Sequence, residues 1–230
     1  MLDRFFLDAT LETGTSVSLK GDEFHHAARV HRKRVDDEVE LFDGRGRGVV
    51  AKIIAISADS MELEIAREVV EAREAAIELE IAISLIQPER LELVLQKATE
   101  LGVSSILPIT TARVEVKPER FRGKEERWRK IILEASKQSG RVTLPRIEEI
   151  VDLKEALARP GVNVFLDPSG DTRPPKAASM RLFIGPEGGW SVEEVAEARA
   201  MGAAVWSLGT RRLRAETAAI AGAALVILGE

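Results

Sequence analysis

The chain has 230 residues, of which 45% are hydrophobic and 31% are charged. This composition predicts a folded protein of one or two domains and excludes an intrinsically disordered one. Lysine and arginine number 33 against 38 aspartates and glutamates, a formal net charge of −5. A polyanionic partner would therefore have to meet a local basic face rather than the whole molecule.

Cysteine is absent, which excludes disulfides, thiolate catalysis and cysteine-based metal sites. The histidines His25, His26 and His31 do not have the spacing of a zinc-binding pair on a helix, so we predict no metal site. The sequence shows no apolar run of bilayer length and no recognisable leader. We expect a cytoplasmic protein with no membrane partner.

The first 70 residues are predicted to form a small barrel of short strands. Polar and apolar residues alternate in five segments: RFFL (4–7), SVSLK (16–20), EVELFD (38–43), GVVAKIIAI (48–56) and SMELEIA (60–66). A helix is predicted from about 22 to 32, with Asp22 as its N-cap. Its buried face would carry Phe24, Ala27, Ala28 and His31.

The pattern of apolar residues along the sequence changes near residue 77. Residues 67–76 have no apolar period and lead into the apolar strand IELEIAISLI (77–86), so we predict domains over 1–70 and 77–230. Helix-length segments at 89–102, 118–140, 191–202 and 214–228 alternate with short apolar runs at 104–110, 162–167, 181–185 and 204–209. This alternation predicts an α/β domain whose parallel sheet is covered by helices on both faces.

The segment IGPEGGWS (184–191) is a glycine-rich turn between a strand and a helix. Ser191 and Glu194 have the spacing of a capping box at the start of that helix. Such a turn brings backbone N–H groups to the carboxyl edge of a sheet, where open α/β proteins bind ligands. A tight turn that binds nothing is the alternative, and the pattern is neither a dinucleotide fingerprint nor a Walker loop.

A second such turn is LGTRRLRAETA (208–218). Arg211, Arg212 and Arg214 precede an apolar helix, where the helix dipole disfavours cations. An anionic partner, or a pairing with Glu216, explains them better than packing does.

Four blocks in this order resemble the signature blocks of the ribosomal RNA small-subunit methyltransferase E family: ELGVSSILP (100–108), RWRKIILEASKQSGRVTLP (127–145), IGPEGGWSVEE (184–194) and LGTRRLRAETA (208–218). RFF, FHHAARVHR and LFDGRGRG resemble the N-terminal domain of that family. The resemblance implies a PUA-like β-barrel followed by a SPOUT α/β domain with a C-terminal trefoil knot, and a homodimer. It also implies S-adenosylmethionine (SAM) as the cofactor and methylation of N3 of a uridine in 16S rRNA, either free or in the assembled 30S subunit.

The resemblance further implies which residues bind SAM. These are Leu166, Asp167 and Pro168 at a strand end, Gly185, Glu187, Gly188 and Gly189 in one loop, and Leu208, Gly209, Leu213 and Arg214 in the other. Asp167 is equally well explained as a simple turn residue. Where the family usually has Glu-Arg-Ser after the strand ILPIT, this chain has Ala112-Arg113-Val114, so only Arg113 matches.

Methylation of N3 requires removal of the imide proton, so a general base is needed. Without cysteine or tyrosine, the base must be an aspartate, glutamate, histidine or lysine, or a water held by one of these. We expect it to be Glu187 or Glu216, and we expect Arg113 and Arg214 to stabilise the developing oxyanion. A purely structural role is the alternative for each glutamate: Glu187 near a helix N-terminus and Glu216 as a partner of Arg212.

We predict RNA contacts at basic and polar side chains of both domains. The candidates are His25, Arg29 and Arg32 on the N-terminal helix, Arg45 and Arg47 on the hairpin, and Arg127, Gln138 and Arg141 near the predicted helix over 118–140. A mixed charged helix facing solvent is the alternative for the last group.

The Gly/Ala-rich helix from Ala215 to Leu228 permits close helix approach and so predicts dimerisation, with burial in the protomer's own core as the alternative. Two other functions remain open: a SPOUT methyltransferase acting on another RNA base, and a non-catalytic PUA-type RNA-binding assembly factor.

Overall fold

The computed structural model describes residues 2–69, 74–171 and 176–229. The chain divides into two compact units, the first made of residues 1–74 and 136–144 and the second of residues 75–135 and 145–230. The return of 136–144 to the first unit is a feature that no sequence pattern indicated. The domain ranges expected from the sequence, 1–70 and 77–230, remain a prediction.

The first unit is a curled five-stranded sheet around its own apolar core. Its strands are β1 (Arg4–Phe6), β2 (Ser16–Lys20), β3 (Glu38–Phe42), β4 (Gly48–Ile56) and β5 (Ser60–Glu68). They lie in the order β1-β3-β4-β5-β2, with β1 parallel to β3 and the other pairs antiparallel. All five strands fall where the period-2 pattern predicted them.

The predicted N-terminal helix is shorter than expected and changes geometry. Helix α1 spans Gly21–His25 and continues as one π-helical turn, His26–Val30. The prediction that Asp22 caps it is wrong, because the helix begins at Gly21 and the preceding Lys20 makes no side-chain capping bond. Ala27 is buried as expected, whereas His31 lies at the exposed end of the helix, where its ring packs edge-on against Phe5 and its Nδ1 pairs with Asp3.

The second unit contains a parallel seven-stranded sheet and the remaining helices. In chain order its elements are β6 (Glu78–Ser84), α2 (Pro88–Leu101), β7 (Ser105–Thr110), α3 (Glu125–Ser139), β8 (Arg146–Ile147), β9 (Val151–Asp152), α4 (Leu153–Ala158), β10 (Val162–Asp171), β11 (Ser179–Ile184), α5 (Val192–Ala200), β12 (Ala204–Trp206) and α6 (Ala215–Ile227). A 3₁₀ turn, Pro118–Phe121, precedes α3, whose last residues belong to the first unit. The strand order is β12-β10-β11-β6-β7-β8, and β9 pairs with β7.

Both faces of this sheet are buried. On β11, Leu182 and Ile184 pack in the core that includes α2 and α6, while Phe183 packs in the core on the opposite face with α4 and α5. Burial on both faces explains why the strands read as continuous apolar runs. The predicted order of a small β unit followed by an α/β unit is therefore confirmed, whereas the trefoil knot stays a prediction. The short elements β8, β9 and α4 were not predicted.

Strand β10 runs further than the predicted end at Asp167. Its pairing with β12 shifts register between Leu166 and Asp171. A Cβ at Gly170 would lie 2.5 Å from the carbonyl of Val205, so only glycine permits this approach. Leu166 and Asp171 are both register partners of Trp206, so Asp167 and Pro168 lie in the irregular stretch between them.

Arg4 connects the strands of the first unit to the returning segment 136–144. Its buried guanidinium pairs with Glu40 at 2.7 Å and donates to the carbonyls of Ser136 at 2.9 Å and Arg141 at 3.0 Å. The Ser136 carbonyl also accepts from the backbone N–H groups of Gly140 and Arg141, both at 3.1 Å, so Arg4 joins the hydrogen bonds that close the end of α3. Among the described residues, no helix is long and apolar enough to span a bilayer.

Candidate active site

A cavity of about 390 Å³ opens at the carboxyl ends of β10, β11 and β12. Parallel α/β sheets characteristically bind ligands at this edge. Three segments line it: residues 166–168 after the first part of β10, residues 184–190 after β11, and residues 208–213 before α6; Arg113, Ala215 and Ala218 complete the lining. The two glycine-containing turns singled out in the sequence therefore meet at one cavity.

The first glycine loop, residues 185–189, is held by Trp190. The indole Nε1 of this buried residue donates to the carbonyl of Leu166 at 3.0 Å. A Cβ at Gly185 would lie 3.0 Å from the indole ring, so a side chain there would displace either the ring or the loop. Trp190 thus couples the loop to the end of the neighbouring strand β10.

The predicted capping box at the start of α5 is confirmed. The Ser191 hydroxyl accepts from the backbone N–H of Glu194 at 3.1 Å, and the Glu194 carboxylate accepts from that of Ser191 at 2.7 Å. The second oxygen of Glu194 accepts from the Ala112 N–H at 2.7 Å. One buried carboxylate therefore anchors both the helix start and the loop that follows β7.

That loop places Arg113 against the first glycine loop. The guanidinium of Arg113 donates to the carbonyl of Gly188 at 3.3 Å. The nearby Glu193 carboxyl accepts hydrogen bonds from the backbone N–H of Glu193 and from the Ser191 hydroxyl, and these bonds lower its pKa. The positive charge of Arg113 lowers the pKa of Glu193 further. Arg113, the one residue of Ala112-Arg113-Val114 that matches the family motif, lines the cavity, and its catalytic role stays a prediction.

The second loop packs on the first through Arg212. Its guanidinium donates to the backbone carbonyl of Glu187 at 2.6 Å, so it is not the partner of Glu216 that the sequence offered. Leu208 and Leu213 supply apolar wall. Arg214 is the exposed N-cap residue of α6 and is outside the lining, in contrast to the other predicted cofactor residues.

Glu187 and Glu216 both lie near a residue that the sequence did not single out, Arg90 in the first turn of α2. Arg90 forms an ion pair with the Glu187 carboxylate, and its Nε lies 3.9 Å from a carboxylate oxygen of Glu216. Glu187 lines the cavity, whereas Glu216 is buried beside it. No local sequence signal could have found Arg90, because both partners are distant in the chain.

Asp167 is a turn residue that also lies at the cavity. One carboxylate oxygen accepts from the backbone N–H of Ser169 at 2.8 Å and from its hydroxyl at 2.6 Å, which is the bonding of an Asx turn. The residue also lines the cavity. A turn residue at this position therefore contributes to the wall.

The candidate RNA-binding residues separate by their partners. His25, Arg29 and Arg32 are exposed, and none of them forms a side-chain hydrogen bond or ion pair among the described residues. Gln138 is exposed as well. The other arginines are engaged: Arg45 with Asp8, Arg47 with Glu68, Arg127 with Glu92 through two bonds of 2.6 Å, and Arg141 with Glu74.

Arg141 differs most from its predicted role. It is 3% exposed, and Glu74 binds its guanidinium together with the backbone N–H groups of Val142 and Thr143. This burial gives Arg141 a structural role in the first unit rather than a surface position. In the part of the chain that the structure describes, no cluster of three or more potential ligands could hold a metal ion.

Two family models match the chain, one over most of the α/β unit and one within the N-terminal β unit. An RNA methyltransferase domain matches residues 73–227, and an RNA methyltransferase PUA domain matches residues 19–66. The fold and the cavity thus define an RNA methyltransferase with an N-terminal PUA domain.

Individual relatives agree with this class. The chain is 30% identical to ribosomal RNA small subunit methyltransferase E of Bacillus subtilis, over 94% of this chain and 93% of that protein. It resembles the crystal structure of the protein of the same name from Neisseria gonorrhoeae bound to S-adenosylmethionine, with 32% identity, a TM-score of 0.87, and coverage of 97% and 96%. A Legionella pneumophila methyltransferase in complex with SAM gives a TM-score of 0.87 at 29% identity, with coverage of 100% and 98%. The chain belongs to the ribosomal RNA small subunit methyltransferase E family.

Proposed function

We propose that this protein is a SAM-dependent rRNA methyltransferase that methylates N3 of a uridine in the 16S rRNA of the small ribosomal subunit. The observation that carries the proposal is the cavity where the two glycine loops meet, in a chain whose close structural relatives were crystallised with SAM. In this proposal the enzyme is a cytoplasmic homodimer. Its partner is rRNA, and it does not bind a membrane.

The cavity suits SAM in size and chemistry. Leu166, Ile184, Leu208 and Leu213 offer apolar walls for an adenine ring, and the turns at the strand ends offer backbone hydrogen bonds. When bound, SAM supplies an electrophilic methyl group on its sulfonium. The residues named around the cavity bind and orient it against the target base.

The acid–base role falls to a carboxylate of the cavity. Glu187 lines the cavity and is the better placed of the two candidate bases for the uracil imide proton. Glu216 is buried at the start of α6 and does not line the cavity, so it is the second candidate. Arg113 lines the cavity and stabilises negative charge on the uracil oxygens, since arginine stays protonated throughout. Arg214 is exposed and does not line the cavity, so we assign it to RNA binding rather than to the uracil oxygens.

Recognition of rRNA begins at the first unit. His25, Arg29 and Arg32 are exposed and form no ion pair within the described ranges, so phosphates can reach them without first breaking one. Arg45, Arg47 and Arg127 would have to exchange a carboxylate partner for a phosphate. The unengaged residues therefore contribute most to RNA affinity.

The test is to incubate the protein and labelled SAM with unmethylated 30S subunits and, separately, with naked 16S rRNA. Mass spectrometry of nuclease digests then locates the product. N3-methyluridine at a single site supports the proposal. A methyl group on another base would identify a different RNA methyltransferase, and RNA binding without transfer would identify an assembly factor.

A further inference from the structure

Arg90 lies where the two loops of the cavity come together. It follows the carboxyl end of β6 in the first turn of α2, while Glu187 follows β11 and Glu216 begins α6. The planar guanidinium presents several donors in a fixed geometry and can serve two carboxylates at once. Arg90 is therefore the cation shared by the glycine loop and α6.

The burial of Glu216 shows why such a cation is needed. Glu216 is 8% exposed, and its Oε2 is buried without a hydrogen-bond partner among the described residues. A buried carboxylate is costly unless a positive charge compensates it. Among the described residues, Arg90 is the cation beside this carboxylate: its Nε lies 3.9 Å from the other oxygen, Oε1.

Glu187 is restrained from two directions. Arg90 binds its carboxylate and Arg212 binds its backbone carbonyl. The side chain that lines the cavity is therefore oriented by a residue outside the lining. Loss of Arg90 would free that carboxylate and leave Glu216 without its neighbouring cation.

We propose that Arg90 is a positioning residue: its guanidinium holds the carboxylates of Glu187 and Glu216, and so fixes the first glycine loop relative to the start of α6 in the arrangement that binds SAM. The inference rests on the proposed function, because it assigns Arg90 to the same cavity.

The test compares Arg90→Gln, which removes the charge, with Arg90→Lys, which keeps it without the guanidinium fork. Lys97→Gln is the matched control, since Lys97 is also on α2 but pairs with Glu100 away from the cavity. Calorimetry measures the Kd for SAM, kinetics with 30S subunits measure kcat and both KM values, and circular dichroism measures Tm.

We expect Arg90→Gln to raise the Kd for SAM by about tenfold. It should also lower kcat while leaving KM for the 30S subunit unchanged. Arg90→Lys should recover part of the loss, and Lys97→Gln should match the wild type. A Glu216→Gln variant combined with Arg90→Gln should show less than the sum of the two single effects on SAM binding, because the two residues are coupled.

Wild-type SAM affinity and kcat in Arg90→Gln would overturn the inference. Equal losses in Arg90→Lys and Arg90→Gln, or strict additivity with Glu216→Gln, would also count against it. Should the wild-type protein bind SAM but methylate neither RNA substrate, the proposed function fails, while the calorimetric series still decides the role of Arg90.

Discussion

Gly188 shows how one missing side chain shapes the cavity. A Cβ at this position would lie 3.2 Å from the Cβ of Arg113 and 3.4 Å from its carbonyl oxygen. Space rather than backbone conformation restricts the position, because no left-handed φ is recorded there. Any larger residue must push the glycine loop away from Arg113.

We expect Gly188→Val to weaken SAM binding about tenfold, or by about 1.4 kcal/mol, because the displaced loop no longer closes the cavity. Calorimetry gives the affinity, and Tm checks that the fold is retained. Ala200→Val adds bulk at the exposed end of α5 and should change neither quantity. Unchanged affinity in Gly188→Val would remove the loop from the SAM site.

At the scale of elements, a row of polar side chains crosses four strands near their amino ends. Asn163, Arg181, Glu80 and Ser105 are consecutive register partners on β10, β11, β6 and β7. Glu80 binds Arg181 and accepts from the Ser105 hydroxyl at 2.9 Å, and Arg181 donates to Asn163 at 3.0 Å. The row lies at the opposite end of the sheet from the cavity.

Glu80→Gln should destabilise the protein by about 2 to 4 kcal/mol, because it leaves the largely buried Arg181 without its counter-charge. Denaturant unfolding measures the loss. Glu38→Gln breaks the solvent-exposed pair with Arg67 and should have little effect. SAM affinity should stay at the wild-type value, and a large change in it would show that the row reaches the cavity.

The small residues of helix α6 suggested a helix–helix contact between protomers, but they pack inside the protomer. Ala219, Gly222 and Ala223 are buried against the sheet of the same protomer, and a Cβ at Gly222 would lie 2.8 Å from Leu182. The small-residue face is thus occupied within the protomer. What remains for a dimer is the exposed side, where Leu225 and Leu228 are 55% and 71% exposed.

For the homodimer we therefore expect contact through Leu225 and Leu228 rather than through the small residues. Light scattering at micromolar concentration should give twice the protomer mass of 25.2 kDa for the wild type. Leu225→Glu combined with Leu228→Glu should shift the protein toward the monomer, because charges would be buried in an apolar contact. A monomeric wild type would reject the dimer.

At the scale of the whole molecule, we expect the first unit to supply RNA affinity and the second to supply SAM affinity. The exposed arginines Arg29, Arg32 and Arg34 form no side-chain ion pair among the described residues. Each phosphate contact contributes a log–log salt slope of about −0.9 on duplex and about −0.7 on single-stranded nucleic acid. Replacing all three arginines by alanine should reduce the slope by about 2 and weaken RNA binding.

The paired arginines Arg45 and Arg47 provide the matched control. Their replacement should change RNA binding less, because Asp8 and Glu68 already neutralise them. Filter binding across salt concentrations measures both sets, and calorimetry should show SAM affinity at the wild-type level. The division of labour would be refuted by an unchanged salt slope in the triple variant.

The five strands of the first unit, the longer strands of the second, the long helices and the two glycine loops were predictable from the sequence. The signals for them are local: a period of two residues in β1 to β5, continuous apolar runs in the buried parallel sheet, and the Ser191–Glu194 capping box. Short elements such as α4, with six residues, carry too few periods to be recognised.

Only the tertiary structure decided which side chains act together. Arg90, Glu187 and Glu216 meet because strand ends distant in the chain share one sheet edge, and the buried Arg141 pairs with Glu74, which is far from it in the sequence. The small face of α6 is likewise filled by the protomer's own sheet. The sequence by itself determined the longer elements and the family, because their signals lie within short stretches of the chain. Ion pairing and burial depend on contacts across the fold, so local patterns do not encode them.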